Sequence, residues 1–296
     1  MGREMLSLVI SNVHSDSKEV PSEQKLSFVI IGAQHAREWI ATSASLYLAH
    51  ALVSDLSEPY SLSRLLNVFD FYIIPVPNPD GYEYTWEKDR FWYKTRQQVS
   101  PKSDCVGIDM NRNWGYKWKA LAEEQSRKPR HRGSGLAAPC SHWYPGHRPF
   151  EAPEVNNIAN MVSTIPNLVG FLDLRSYGQM LSSPFSYSCS SIPKDAEDQL
   201  EAGLGGAWTM SQVYGTTVTT GSLCSNLYRA PGNVIDWMYK RAGIKYSYAL
   251  HLRDTGTYGF TLPARWIRPV GEETSAMLEY LTKFIAMKMK RDFGDL

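Results

Sequence analysis

A histidine and a glutamate three residues apart give this chain its first metal-ligand pattern. His35 and Glu38 lie in the segment Gly32–Trp39, directly after the apolar run Leu26–Ile31. An imidazole nitrogen and a carboxylate oxygen both bind zinc at about 2 Å. Two ligands do not make a zinc site, however, and two polar residues at this spacing are common on solvated turns. The chemistry of the pair therefore depends on other parts of the chain.

Five further polar segments follow in a fixed order. They are Asn78–Gly81, Gly107–Trp114, Ser176–Tyr177, Gly232–Trp237 and Leu252–Gly256. Together with the first segment, they resemble the zinc metallocarboxypeptidases of the carboxypeptidase A/B family, from about residue 32 to the C-terminus. Within that family, the chain is most similar to the fungal inactive carboxypeptidases that are linked to cell-wall organisation.

The resemblance implies zinc ligands and a clamp for the substrate. His35 and Glu38 match two of the family's three zinc ligands, and Arg37 between them matches a substrate-contacting arginine. Asn111 and Arg112 match the pair that holds the terminal carboxylate of the substrate. An arginine with an amide makes a planar, charge-assisted clamp for a carboxylate. The implied partner is the C-terminus of a peptide or protein.

Two more residues, both much later in the chain, extend this implied pocket. Tyr228 matches the tyrosine that helps to hold the carboxylate, and Ile235 matches the residue that sets side-chain preference. An apolar residue at that position implies a preference for hydrophobic or aromatic C-terminal residues.

Three positions depart from the family pattern. Arg175 stands where the third zinc ligand belongs, and a guanidinium stays protonated and has no lone pair to give. His251 replaces the glutamate that acts as general base, although a histidine can act as a base near neutral pH. Tyr93 replaces the oxyanion arginine, and losing such a donor typically costs about 10²–10³ in rate. No catalytic residue of the family is therefore intact, and binding of the implied zinc is disfavoured.

Two arrangements of the altered residues remain open. In the first, the Arg175 guanidinium lies where zinc would lie and pairs with Glu38, with His251 as a neighbour of that pair. In the second, His251 becomes a substitute third ligand. The second is less favoured, because the family's base acts on the metal-bound water and stands back from the metal.

The elements that must position these residues alternate along the chain. Short apolar runs predict four strands, at Leu26–Ile31, Phe69–Pro75, Leu168–Leu174 and Tyr246–Leu252. Amphipathic patterns predict four helices, at Ile40–Val53, Pro153–Thr164, Glu197–Tyr214 and Glu272–Arg291. The alternation predicts an α/β fold with a mixed, largely buried β-sheet flanked by helices and with the site residues near strand ends.

The family motifs predict one carboxypeptidase-like domain over residues 1–296. By resemblance, residues 2–12 correspond to the family's second strand, so we expect the family's N-terminal helix and first strand to be missing. The segment 117–138 is longer and more polar than the corresponding family loop, and is interpreted as a possible insertion. An apolar stripe in the last predicted helix favours packing in the core over membrane binding. Its residues are Met277, Leu278, Leu281, Phe284 and Ile285.

Composition excludes some partners and bears on the compartment. A formal net charge of +1 provides no general attraction for nucleic acid, and no apolar run has the length of a membrane span. The resemblance implies two disulfides, Cys105–Cys140 and Cys189–Cys224, which favour an oxidising compartment. We therefore expect a secreted or vacuolar protein, although no signal peptide is recognisable in Met1–Ile10.

The sequence favours one of three function classes. The favoured class is an inactive metallocarboxypeptidase-like protein that keeps a pocket for hydrophobic peptide C-termini, with a role in cell-wall or matrix organisation. The alternative is an active zinc metallocarboxypeptidase that releases hydrophobic C-terminal residues. The third is a degraded gene product without stable function.

Overall fold

The strands form one sheet whose central strands are buried on both faces. The computed structural model describes residues 2–12, 25–99, 104–119 and 139–293. Its seven strands have the spatial order β1-β3-β2-β4-β7-β5-β6. They are β1 (Leu8–Ile10), β2 (Leu26–Ile31), β3 (Phe69–Ile74), β4 (Leu168–Arg175), β5 (Met180–Ser183), β6 (Thr219–Ser222) and β7 (Tyr246–His251).

The four central strands run parallel, and the sheet is mixed at both edges. β3, β2, β4 and β7 are neighbours in parallel pairing. β1 pairs antiparallel with β3, and β5 pairs antiparallel with β7. Parallel strands bring their carboxyl ends to the same edge of the sheet, where α/β folds place their sites.

Helices cover both faces of the sheet. They are α1 (Trp39–Val53), α2 (Pro79–Glu87), α3 (Pro153–Thr164), α4 (Ala196–Tyr214), α5 (Leu223–Asn226), α6 (Val234–Lys240) and α7 (Ile267–Phe293). The first layer combines α1, α4 and α7, and the second combines α3 and α6. The described part of the chain thus has the predicted architecture, a mixed sheet flanked by helices.

Alternation along β2 shows how the sheet separates two cores. Phe28 and Ile30 join the core under α1, α4 and α7. Val29 and Ile31 join the core under α3 and α6. All four side chains are fully buried, because successive side chains of a strand point to opposite faces and both faces are covered here.

The predicted elements are present, with one shifted helix start. The last helix begins at Ile267 rather than at Glu272. Glu272 and Glu273 therefore lie inside the helix. Both are buried, and each accepts a hydrogen bond from an arginine, Arg268 and Arg253 respectively. The apolar stripe of this helix is buried in the core, as predicted. The pattern did not predict the short helices α2, α5 and α6.

Both implied disulfides are present, Cys105–Cys140 and Cys189–Cys224. Most of the interpreted insertion, residues 120–138, lies outside the described residues. Residues 2–12 contribute the edge strand β1. In the described part of the chain, no helix combines the length and the apolar character needed to cross a membrane.

The two faces of α1 provide a test of the core. We expect Leu48→Ala to lower the free energy of unfolding by about 2–5 kcal/mol, because the buried leucine would leave a cavity. The matched control is Leu46→Ala on the same helix, where the side chain is 48% exposed and the expected change is within about 1 kcal/mol. Urea unfolding of the oxidised protein measures both. Equal losses would contradict this assignment of the two faces.

Candidate functional site

The three departures from the family pattern meet at the carboxyl edge of the sheet. Arg175 is the last residue of β4 and His251 the last residue of β7, and the two are paired in register. His35 and Glu38 follow the neighbouring strand β2 and precede α1. The structure thus brings together the predicted metal-site residues that the sequence separates by up to 216 positions.

His35 is held from two sides. Its Nε2 lies 2.8 Å from Asp109 Oδ1, and the same carboxylate oxygen accepts from the backbone N–H of Asn111 at 2.9 Å. The ring of Tyr93 stacks on the imidazole with 3.6 Å between centroids. Both rings are buried. Tyr93, at the oxyanion position, therefore acts here as a packing partner of the histidine.

Arg175 lies inside this cluster and binds the residues that would hold a metal. Its Nε donates to Glu38 Oε2 at 2.9 Å and its Nη2 to Glu38 Oε1 at 3.1 Å. Nη2 also contacts Nδ1 of His35, and Nη1 donates to Asp173 Oδ2 at 3.3 Å. The predicted pair of Arg175 with Glu38 is confirmed as a buried, two-point ion pair.

His35 Nδ1 has two neighbours: it lies 3.0 Å from Glu38 Oε1 and contacts Arg175 Nη2. The other ring nitrogen, Nε2, faces Asp109 Oδ1. Arg175 thus contacts both residues that match zinc ligands.

The residues present do not fit zinc. A third ligand with a lone pair is absent at the position of Arg175, and a dication beside the guanidinium would be repelled. Across the residues that the structure describes, no three His, Cys, Asp or Glu side chains are grouped to hold a metal ion. The arrangement replaces a metal by a fixed organic cation.

Buried charges in the cluster shift one another's pKa values. Burial is the largest single influence on Glu38 and opposes its ionisation, but the charge of Arg175, the charge of His35 and the hydrogen bonds from both together bring the pKa well below the usual range. Burial raises the pKa of Asp173 to about 6, despite Arg175 and a 2.9 Å hydrogen bond from Gln34. Glu38 is therefore the principal counter-ion of Arg175, and Asp173 is secondary.

His251 is a neutral neighbour of this ion pair. Burial lowers its pKa to about 3, and the charge of Arg175 adds to the effect. Its Nδ1 is buried without a hydrogen-bond partner. An imidazole that faces a guanidinium is poorly placed to bind a metal cation, so the geometry favours the first of the two arrangements.

An open cavity of about 620 Å³ lies over the cluster. Beside it is a recess of about 40 Å³, little more than the share of one water molecule in the liquid, which is about 30 Å³. Asn111, Arg112 and Tyr228 line the recess, and Arg112 Nη2 lies 3.3 Å from the Tyr228 hydroxyl. The side chains that match the carboxylate clamp are thus brought together.

The structure differs from the prediction at Ile235. Its side chain is fully buried in the core between the sheet and α6 and does not line the recess. The apolar lining consists of Leu223, Leu227, Ala230 and Ala249. Because the recess holds only about 40 Å³, a bulky C-terminal side chain could enter only if lining side chains shift.

Arg37 lies at the rim of the larger cavity. Its guanidinium carbon is 4.1 Å from the ring centre of Phe260 and 4.8 Å from that of Tyr93. Arg90 fixes this rim by donating to the backbone oxygens of Arg37 and Phe260. Arg37 is therefore a stacked cation on the wall of the cavity.

Sequence reasoning assigned no role to several residues of the cluster. Asp109 lies within a recognised motif, and Asp173 lies two positions before Arg175 on the same face of β4. The period-2 rule for strands could have found Asp173. Gln34 likewise lies within the segment Gly32–Trp39, directly before His35. No sequence signal pointed to Phe260, which reaches the rim only through the fold.

The fold and the site define a member of the zinc carboxypeptidase family, and the chain belongs to that family. The family's sequence profile, Peptidase_M14, matches residues 1–277.

Among its relatives is the "Inactive metallocarboxypeptidase ecm14" of Sclerotinia sclerotiorum, 36% identical over 91% of this chain and 46% of the relative. The protein of the same name from Talaromyces stipitatus is 37% identical over 87% of this chain and 44% of the relative. The chain thus spans less than half the length of these relatives.

Solved structures share the fold. Bovine thrombin-activatable fibrinolysis inhibitor, in complex with tick carboxypeptidase inhibitor, superposes with a TM-score of 0.80 at 33% identity, over 96% of this chain and 86% of that one. Carboxypeptidase A from Helicoverpa armigera gives a TM-score of 0.82 at 28% identity, over 98% of this chain and 67% of that one.

The buried ion pair predicts strong coupling between two substitutions. Arg175→Met leaves Glu38 as an uncompensated buried charge, so we expect a loss of about 3–5 kcal/mol in unfolding free energy. Adding Glu38→Gln removes that charge and should recover at least half of the loss. Urea unfolding of the two single variants and the double variant measures the coupling. Additive losses would show that the two side chains do not interact.

The raised pKa of Asp173 predicts a pH dependence of defined sign. The folded pKa of about 6 exceeds the unfolded value of about 3.9, so this residue's contribution to stability is full below pH about 4 and is lost as the pH rises through about 6. Asp173→Asn removes this dependence. The stability of the variant relative to the parent should therefore be higher at pH 7 than at pH 4. A difference independent of pH would contradict the shifted pKa.

Proposed function

We propose that this chain is a non-catalytic metallocarboxypeptidase homologue that binds the C-termini of peptides or proteins. The proposal treats residues 1–296 as one carboxypeptidase-like domain. Its single carrying observation is the two-point ion pair of Arg175 with Glu38. This pair fills the cluster with a cation that cannot bind or polarise water as a metal does.

The other altered positions support the absence of turnover. Peptide hydrolysis needs a base for water and positive charge for the developing oxyanion. His251 faces Arg175 as a neutral imidazole, and Tyr93 is a buried phenol. The relatives named inactive metallocarboxypeptidases support the same proposal.

The recess supports retained binding of a terminal carboxylate. Arg112 keeps a guanidinium beside the Tyr228 hydroxyl, and the pKa of Arg112 is raised by the negative charge of Asp109 although burial opposes this. Asn111 is anchored because its side-chain oxygen accepts from the N–H of Val234 at 3.0 Å. A protonated arginine with an adjacent hydroxyl suits a carboxylate. The apolar lining of the recess suits a hydrophobic C-terminal side chain.

The setting that we propose for this binding is outside the cytosol. Two disulfides support an oxidising compartment. A secreted or vacuolar protein that holds protein C-termini would suit organisation of a cell wall or matrix. The active zinc carboxypeptidase is the alternative, and no described contact favours it.

Metal content and peptide binding test this proposal together. After dialysis with added zinc, we expect well below one zinc per chain by elemental analysis and no release of C-terminal phenylalanine from a peptide. A peptide ending in a free carboxylate should bind at least about tenfold more tightly than its amide, since a charge-assisted pair is lost, and Arg112→Gln should abolish that preference. One tightly bound zinc per chain together with turnover would establish the active alternative. Equal binding of the acid and the amide peptide would contradict the proposed carboxylate pocket.

Restoring the family residues provides a second test. The triple variant Arg175→His, His251→Glu and Tyr93→Arg should bind about one zinc per chain, because the His–Glu–His ligand set is completed. We also expect it to recover some hydrolysis. The matched control carries only His251→Glu and Tyr93→Arg; it retains Arg175 and should bind none. A folded triple variant without zinc would contradict the assignment of Arg175.

A further inference from the structure

The charges that line the two cavities do not balance. Besides the histidines, the basic lining residues are Arg37, Arg175 and Arg112, and the lining carboxylate is Glu38. Glu38 is taken up by Arg175. Arg112 has Asp109 behind it as a source of negative charge. Arg37 remains as the uncompensated cation of the lining.

Arg37 has no ion-pair partner among the residues that the structure describes. Its Nε is buried without a hydrogen-bond acceptor. The guanidinium is held against the rings of Phe260 and Tyr93, and such stacking leaves the donors at the edge of the plane unused. A half-buried guanidinium in a fixed orientation can bind a planar anion with little loss of side-chain freedom. A carboxylate fits it best, because it can accept two parallel hydrogen bonds.

The neighbourhood of Arg37 adds positive charge. The pKa of His142 on the same cavity wall is lowered by burial and then by the charges of Arg37 and Lys94. The Lys94 ammonium donates to the backbone oxygen of Pro139 rather than to a carboxylate. A ligand that enters this cavity therefore meets a positive potential beyond the recess that would hold its terminal carboxylate.

We infer that the cavity selects protein C-termini with an acidic side chain among the residues that directly precede the terminal one, and that Arg37 binds this second carboxylate. The inference rests on the proposed function, because the recess with Arg112 and Tyr228 would anchor the chain end. Arg37 lines the larger cavity but not the recess, so it faces residues upstream of the end. Consecutive residues of an extended peptide advance by about 3.3–3.6 Å, so the positions to test are the one or two directly upstream of the end.

Matched peptides test the inference. The probes are fluorescent hexapeptides that end in Glu-Phe, Gln-Phe, Glu-Ala-Phe or Gln-Ala-Phe, each as free acid and as C-terminal amide. At low salt, we expect at least one of the two Glu-containing free-acid peptides to bind about 5- to 20-fold more tightly than the matching Gln peptide. This is the gain expected for one charge-assisted bidentate pair. That advantage should shrink as salt is raised.

Variants locate the effect at Arg37. Arg37→Gln should make the Glu and Gln twins bind equally, and Arg37→Lys should retain part of the preference. The matched control is Arg64→Gln, an exposed arginine in Ser63–Asn67, which should leave the preference unchanged. Circular dichroism establishes that each variant is folded.

The outcomes separate this inference from the proposed function. If free acids bind better than amides but Glu and Gln peptides bind equally, the inference is overturned and the proposed carboxylate pocket still stands. A Glu preference that persists in folded Arg37→Gln overturns the role of Arg37. If acids and amides bind equally, or if no peptide binds, both the pocket and the inference fail.

Discussion

The ion pair between Arg175 and Glu38 is the constraint on which the candidate site depends. Both side chains are about 96–97% buried, where an isolated charge would cost several kcal/mol and a pair is tolerated only with good geometry. Two parallel contacts to Glu38 and a third to Asp173 supply that geometry. A guanidinium presents its donors in one rigid plane. The ion pair therefore constrains the distance between the end of β4 and the segment that joins β2 to α1.

The three departures from the family pattern are electrostatically linked. Arg175 introduces a permanent cation into the cluster. A second arginine at position 93 would place like charge beside it, whereas the neutral ring of Tyr93 instead stacks on His35. At position 251, a neutral imidazole borders the guanidinium. The replacements at positions 93 and 251 therefore place no further charge beside Arg175.

Sequence reasoning recovered the layers of the fold and the membership of the central cluster. Apolar runs identify β2 and β4 because those strands are buried on both faces, and motifs identify His35 and Arg175 because their spacing resembles a family. The direction in which a side chain points could not be predicted in this way. Ile235 matches a residue that lines the family's pocket, but its side chain is buried in the core between the sheet and α6. The predicted start of α7 at Glu272 was also wrong, because Glu272 lies inside the helix as a buried partner of Arg268. Such outcomes depend on neighbours that are distant in sequence.

The register that sets Arg175 beside His251 has an evolutionary consequence. A descendant that regained the glutamate at position 251 would gain a second carboxylate near Arg175 but no metal ligand. One that regained the histidine at position 175 would leave Glu38 and Asp173 without their cation. On the proposed function, neither substitution alone would restore hydrolysis, so a return to activity would need several changes at once. The edge of the sheet would then behave as a ratchet, and divergence would act on what the cavity binds.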